Sequence, residues 1–507
     1  MESTSTSNNH AQNYHPYFYL SESAAKNLLQ YEYKGVDNSL IYKYILSPFA
    51  NYLVNRITPT WLAPNLITLM GLAIMFIAYC ITAFYYMTSP SSHTATTGIP
   101  ATTPVTGNEY ELALSQSQRA VVPNWVFAFN ALAMLLYQTL DNMDGKQARK
   151  TLSSSPLGLL FDHGCDAINS IFGSQMWIAA MDLSVSTHPW AAFVCVFSPM
   201  TLFFIATWEE YHTHVLVLPI FNGPTEGLLL AVCTMLLSFF THPHTFWHST
   251  SLWDTYAPKI IDTSSSWTHV ELLISITLIM TIREIIFKIY AVMFQPLSNG
   301  LSKLLSLLPF FTLVLLTLLI GYMDIPLMER NFTLFLHLIS ALFVEMVTSM
   351  MLDHLTKQPY TCFRLILIPY GILTGLVILH QQGFLVEETS TFYFTNNNIN
   401  HILDMYVAIY TTMVLVYLFI KGRIIIHEIC MILGIYCFDI VTPRGPDYTA
   451  VQAVLSIFNV DNHPTSSTSN HHQPTMISPN DTSSILLSLQ YNTIGESTGV
   501  PSKEKVS

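Results

Sequence analysis

Charge is what this 507-residue chain has least of: Asp, Glu, Lys and Arg make up 10% of it, against about 25% in soluble globular domains. A soluble surface needs more charge than that, so a large soluble core is excluded. There is no basic stripe, and with a formal net charge of −12 nucleic acid is not an expected partner. The seven cysteines include no CxxC pair. Most sit in apolar runs, as Cys80, Cys195 and Cys233 do, and read as small buried hydrophobes, which leaves neither a disulfide framework nor a zinc site. Residues 1–20 are rich in Ser, Thr, Asn and His and have no apolar core. No cleavable signal peptide is therefore expected, and the first membrane helix would serve as the insertion signal.

What the chain does have is apolar length. Hydrophobic residues make up 51% of it. A membrane helix needs about 20 mainly apolar residues. Ten such runs are expected to span, at roughly 62–88, 122–140, 167–185, 188–207, 224–242, 268–284, 303–323, 332–352, 362–381 and 402–421. The sixth is closely followed by Arg283, Glu284 and Lys288. A further run, 424–440, carries His427 and Glu428 and reads as interfacial or packed on the bundle. Ahead of the first span, 39–60 mixes Ile, Leu, Tyr and Phe with Lys43 and Arg56, the pattern of an amphipathic helix lying along the membrane surface. The fold class expected is all-α: a polytopic membrane bundle occupying 21–440, between disordered tails at 1–20 and 455–507. Lys and Arg concentrate in alternate loops, from Lys26 and Arg56 through Lys146, Arg149 and Lys150 to Lys421 and Arg423. That bias places both termini on the cytosolic side.

The most informative stretch is 141–166, DNMDGKQARKTLSSSPLGLLFDHGCD. Asp141 and Asp144 are spaced i, i+3 at the end of the second span. Asp162 and Asp166 are spaced i, i+4 at the start of the third. Either spacing puts a pair on one helix face. A short connection makes the two helices antiparallel neighbours, so four carboxylates converge at the cytosolic edge. Carboxylates at membrane depth are costly and mark function. Four together need cations, and hard oxygen ligands suit Mg²⁺ or Mn²⁺. Two such ions about 3.5–4 Å apart clamp a phosphoryl group in transfer. Gly145 and Gly158 allow close helix approach or backbone access to a phosphate, and Arg149 offers a fork of donors for phosphate oxygens.

Without a gap the stretch reads DxxDGxxARx8GxxxDxxxD, through Asp141, Asp144, Gly145, Ala148, Arg149, Gly158, Asp162 and Asp166. This resembles the signature of the CDP-alcohol phosphotransferases. The letters DGKQAR, SSSPLG and FDHGCD, with PNLIT at 64–68 and TWEEYHTHVLVLPIFNGPTEG at 207–227, look like the eukaryotic choline/ethanolaminephosphotransferase branch. The resemblance covers roughly 35–440. It implies transfer of phosphocholine or phosphoethanolamine from CDP-choline or CDP-ethanolamine to diacylglycerol, with release of CMP. By motif position it implies that the four aspartates bind two Mg²⁺ ions and that Arg149 and Asn65 contact the CDP moiety. Asn65 taken alone reads as a helix cap. His163 matches the family's proposed proton acceptor, and imidazole suits proton transfer near neutral pH. One position departs: the branch commonly has Glu after the motif glycine, and this chain has Leu159.

The stretch at 207–227, read as the fourth-to-fifth connection, offers Trp208, Glu209, Tyr211 and Glu226 as head-group candidates. Aromatic rings with carboxylates suit a quaternary ammonium, and added acceptors suit a primary one. An interfacial aromatic belt is the alternative. The resemblance further implies a homodimer in the endoplasmic reticulum or Golgi membrane, with its active site cytosolic. The competing readings are a CDP-diacylglycerol-dependent phosphatidyltransferase, a catalytically weakened homologue, and, more distantly, a cation-coupled transporter.

Overall fold

The computed structural model describes residues 19–87, 122–249, 267–294, 300–384 and 396–440, all within one unit, Met1–Gln452. The helices are α1 Glu22–Leu29, α2 Ser47–Arg56, α3 Pro64–Met87, α4 Asn124–Lys150, α5 Pro156–Ala180, α6 Pro189–Thr213, α7 Leu228–Phe240, α8 Pro243–Trp247, α9 His269–Met293, α10 Gly300–Leu305, α11 Leu308–Met323, α12 Ile325–Arg330, α13 Phe332–Thr356, α14 Ile368–Gln381 and α15 Asn396–Leu433. Ten of them, α3 to α7, α9, α11 and α13 to α15, occupy the ten expected spans. The protein is a helical polytopic membrane protein. By length and composition alone, five segments qualify as crossing a bilayer: Pro64–Tyr86, Pro189–Thr213, Gly223–Phe240, Phe332–Thr356 and Asn398–Leu433. The helices α11 and α14 are apolar but shorter, while α4 carries the polar acid motif into its last turns.

Proline opens several of these helices, where its missing N–H and fixed φ cost nothing. The turn that positions the acid motif is built this way. Helix α4 stops at Thr151, Ser155 caps α5 by accepting from Gly158 N at 3.1 Å, and Pro156 takes the first position. Helix α5 then ends at Ala180, short of the expected 185, where Asp182 turns left-handed at φ 50°.

Two expectations shift. The letters TWEEYHT do not open a loop; they complete α6 up to Thr213, and His214 ends it at φ 57°. Their polar side chains are tolerated in the helix because Trp208, Glu209 and Glu210 face the bundle. Helix α9 likewise runs past Arg283, Glu284 and Lys288 to Met293. Lys288 is buried against Glu209 of α6, so its charge is matched inside the bundle.

Helix α13 is the axis of the bundle: 78% of its apolar window is buried, against 28% for α15. Its one mid-helix acid, Glu345, is met by Lys421 of α15 at 2.8 Å, Arg364 at 3.3 Å and Ser349 at 3.0 Å. Helix α15 holds 38 residues and continues unbroken through the run carrying His427 and Glu428. At 1.5 Å per residue it reaches about 57 Å, beyond a hydrocarbon core of about 30 Å.

The N-terminal arm packs on the same end of the bundle. Ala24, Ala25 and Leu28 of α1 join Leu352 and Leu355 of α13 and Ile425 and Ile429 of α15 in one apolar cluster. A parallel ladder absent from the sequence reading, β1 Gly35–Asp37 with β2 Leu216–Leu218, ties the arm to the chain after α6. The expected amphipathic segment is a π turn at Tyr42–Leu46 followed by α2. Ala50 and Val54 face inward, while Tyr44, Ile45, Phe49 and Tyr52 are exposed between Lys43 and Arg56, as a surface-lying helix requires. Both expected tails lie outside the described residues except for Tyr19 and Leu20, whose N–H groups each donate to Glu428 at 2.8 Å.

Candidate active site

The site forms where α3, α4 and α5 meet. Asp141 and Asp144 project from the last turns of α4, and Asp162 from the first turns of α5. Their carboxylates each bring an oxygen within 4.8 Å of the others. Among the described residues no Lys or Arg forms an ion pair with any of the three. Asp144 is held by Thr68 Oγ1 of α3 at 2.5 Å and by Gly145 N at 2.5 Å. Asp162 Oδ1 is buried with no hydrogen-bond partner. A buried carboxylate oxygen without a donor is costly unless a cation meets it. An all-oxygen donor set with one such orphan fits a hard divalent cation.

Asp166 sits one turn further along α5 and is outside that tight group. It accepts a hydrogen bond from Tyr137 of α4. With Asp141 it lines a cavity of about 390 Å³ that continues past Asn169, Leu202, Phe203 and Met280 between α4, α5, α6 and α9. The walls are largely apolar, while the acids stand at one side. Close approach of α3 and α4 here depends on Gly71, where a Cβ would lie 3.3 Å from the Tyr137 ring.

The other expected site residues fall around the acids. Gly158 faces Asn65: a Cβ there would lie 3.5 Å from Asn65 Oδ1, while Asn65 Nδ2 donates to Cys437 O at 2.7 Å. A Cβ at Gly145 would lie 3.7 Å from the exposed Arg149 guanidinium, and Ala148 is half-buried beside it. His163 is buried. Its Nδ1 lies 3.1 Å from Leu159 O, and its Nε2 lies 3.6 Å from Glu210 Oε2 on α6.

The head-group candidates separate. Trp208 Nε1 donates to Ser306 Oγ at 2.7 Å and Lys303 O at 3.2 Å. Glu209 pairs with Lys288. Tyr211 Oη donates to Gln358 O at 3.0 Å and accepts from Tyr360 N at 2.8 Å. Glu226 accepts from Ser39 Oγ at 2.6 Å and Asn222 N at 3.0 Å, and of the four it alone lines the cavity.

Three residues of the site were not singled out from sequence: Thr68, Tyr137 and Glu210. Thr68 lies inside PNLIT, and Tyr137 precedes Asp141 by one turn on the same face, so both had a positional signal. Glu210 lies inside TWEEYHT, but its place beside His163 had no signal, because only the packing of α6 on α5 brings it there.

Fold and site together define a class: a multi-pass helical membrane protein with an uncompensated acidic centre opening on an apolar cavity. Residues 61–261 match the family described as CDP-alcohol phosphatidyltransferase. The chain is 31% identical over 433 residues to choline/ethanolaminephosphotransferase 2 of Arabidopsis thaliana, covering 83% of this chain and 98% of that one. It is 30% identical over 358 residues to choline/ethanolaminephosphotransferase 1 of Saccharomyces cerevisiae, covering 68% and 81% respectively. A CDP-alcohol phosphatidyltransferase class-I family protein of Dictyostelium discoideum is 40% identical over a shorter 212 residues, 42% of this chain and 44% of its own length. The chain belongs to the CDP-alcohol phosphatidyltransferase family and is a transferase.

Proposed function

We propose that this protein transfers phosphocholine, phosphoethanolamine or both from the CDP-alcohol to diacylglycerol, releasing CMP and forming phosphatidylcholine or phosphatidylethanolamine. The observation that carries this is the convergence of Asp141, Asp144 and Asp162 within 4.8 Å beside an apolar cavity. The reaction joins a charged, soluble donor to an acceptor that lives in lipid, and the site offers one surface for each. The names of the relatives above give the same two head groups.

Asp141, Asp144, Asp162 and Asp166 would hold two Mg²⁺ ions, with Mn²⁺ as a substitute. Bound there, the ions would neutralise the donor's pyrophosphate and the charge that develops as it breaks. The chain's own residues do the rest. Thr68 and the Gly145 amide fix Asp144, and Tyr137 fixes Asp166. Arg149 and Asn65 take the CDP end beside Gly145 and Gly158, where no side chain obstructs a phosphate. The apolar cavity takes the acyl chains and presents the diacylglycerol hydroxyl to the acids. That oxygen attacks the phosphorus bearing the head group, the P–O–P bond to CMP breaks, and the hydroxyl proton passes to His163 Nε2. Nδ1, close to the Leu159 carbonyl, is the nitrogen that keeps its proton. Glu226, on the cavity wall, is the leading head-group contact.

The catalytic unit in this reading is 21–440; the Lys/Arg bias favours a cytosolic face for the acids and both termini, and the family resemblance implies an endoplasmic reticulum or Golgi membrane and a homodimer. The test uses purified protein in lipid with diacylglycerol and Mg²⁺, offered CDP-choline and CDP-ethanolamine separately. The expected result is CMP and phospholipid in equal amounts, lost on chelation. Product only from CDP-diacylglycerol and a soluble alcohol would overturn the assignment.

A further inference from the structure

The face of α5 that borders the cavity carries polar side chains beyond the acids. Asn169, Ser170, Ser174 and Trp177 all line it, at helical spacing after Asp166. The two serines are satisfied within the helix: Ser170 Oγ donates to Ala167 O at 2.8 Å and Ser174 Oγ to Ser170 O at 2.7 Å. Asn169 is not. It is 3% exposed, and neither its amide nitrogen nor its oxygen has a hydrogen-bond partner. A carboxamide offers a pair of N–H donors and an acceptor oxygen. Leaving them all unmet inside a membrane bundle is costly, and the cost is offset where a ligand supplies the partner. Trp177 Nε1 is unmet too. It lies about 12 Å deeper along the helix axis, beside acyl tails that have nothing to accept a hydrogen bond.

Depth selects the partner of Asn169. It stands one turn past Asp166, a rise of about 4.5 Å along α5, and both line the same cavity. With the acceptor hydroxyl at the acids, the group that reaches one turn inward is the ester carbonyl nearest that hydroxyl, on the middle carbon of the glycerol. That carbonyl gives up water on entering an apolar cavity and needs a donor there. We infer that Asn169 Nδ2 donates to the sn-2 ester carbonyl of the diacylglycerol. Asn169 is then a specificity-determining residue, selecting an acceptor with an ester rather than an ether at that carbon. This rests on diacylglycerol being the acceptor, as read above.

The experiment compares wild type with Asn169→Leu, which keeps the side-chain volume and removes the amide. Both are assayed in lipid with Mg²⁺ and CDP-choline or CDP-ethanolamine, on three acceptors: 1,2-diacylglycerol, 1-acyl-2-alkylglycerol and 1-alkyl-2-acylglycerol. Melting temperature is measured in parallel. Wild type is expected to use 1-acyl-2-alkylglycerol about tenfold less well than diacylglycerol by kcat/KM, the worth of one hydrogen bond, and 1-alkyl-2-acylglycerol within about threefold. Asn169→Leu is expected to lose about tenfold on the two acceptors with an sn-2 ester and to stay within about threefold of wild type on the sn-2 ether, so the preference vanishes. A wild type that accepts the sn-2 ether as well as the ester overturns the inference, whether or not the variant folds. So does an Asn169→Leu protein slowed equally on all three acceptors, with a lower melting temperature, which assigns the amide to the scaffold. A wild type that uses none of the three glycerols, but joins CDP-diacylglycerol to a soluble alcohol, removes the underlying reading itself.

Discussion

At Glu345 the chain supplies its own cations, and at Asp141, Asp144 and Asp162 it supplies none. Both groups are acids buried or half-buried among helices of one bundle. Glu345 has Lys421 at 2.8 Å, Arg364 at 3.3 Å and Ser349 at 3.0 Å, all on Oε1, while its Oε2 has no hydrogen-bond partner. The aspartates have three carboxylates within 4.8 Å, one hydroxyl, one amide and an orphaned oxygen at Asp162. The difference teaches where to look for function. A membrane bundle closes its structural charges internally, because an unmatched one is expensive there. Charge left open is charge kept for something that arrives from outside.

Substitution breaks the two groups in opposite ways. The largest effect is expected at the open one. Asp162→Asn should lower phospholipid synthesis on the order of 10³-fold or more, since residues that act as a unit fail together. Its melting temperature without Mg²⁺ should equal or exceed that of wild type, because like charges are removed. Adding Mg²⁺ should stabilise the wild type, by about 2.7 kcal/mol at a hundred times Kd, and leave Asp162→Asn unmoved. A thermal-shift titration reads this independently of turnover. Equal Mg²⁺ stabilisation in both proteins would remove Asp162 from the metal set.

Glu345→Gln should do the reverse. It strands Lys421 and Arg364, and removing one partner of a buried ion pair costs about 3–5 kcal/mol. Unfolding should come earlier by that amount, while kcat per folded molecule stays within about twofold. A variant that keeps its stability and loses kcat would mean that the Glu345 network also serves the chemistry, and the contrast between the clusters would collapse.

These two regions also differ in how far sequence reveals them. The aspartates are local: spacings of three and four residues place them on helix faces, and the short link after Lys150 brings the faces together, so the acids were legible before any coordinates. Glu345 and Lys421 lie on separate helices and Arg364 in the link before α14, and no spacing relates them. The same holds for Glu210 and His163, and for β1 against β2, whose strands are too short to register as alternation. Apolar length located the ten helices expected to span but not their ends. Polar residues extend α6 to Thr213 and α9 to Met293 because their partners lie on other helices, where hydropathy along one segment cannot count them.

Tyr137 tests the boundary between the two kinds of site. It contributes no charge, and its hydroxyl donates to Asp166. If Asp166 belongs with the open acids, the hydroxyl fixes a ligand, and a hydrogen bond to a charged group is worth about 1.5 kcal/mol or somewhat more. Tyr137→Phe keeps the ring that packs against Gly71 and removes only that bond. The expected result is a fall of about tenfold in kcat, the rate equivalent of that energy, with a higher Mg²⁺ concentration needed for half-maximal activity and an unchanged melting temperature. An unchanged Mg²⁺ requirement with a lower melting temperature would place Tyr137 and Asp166 on the structural side, with Glu345, and would confine the open acids to the three that already converge.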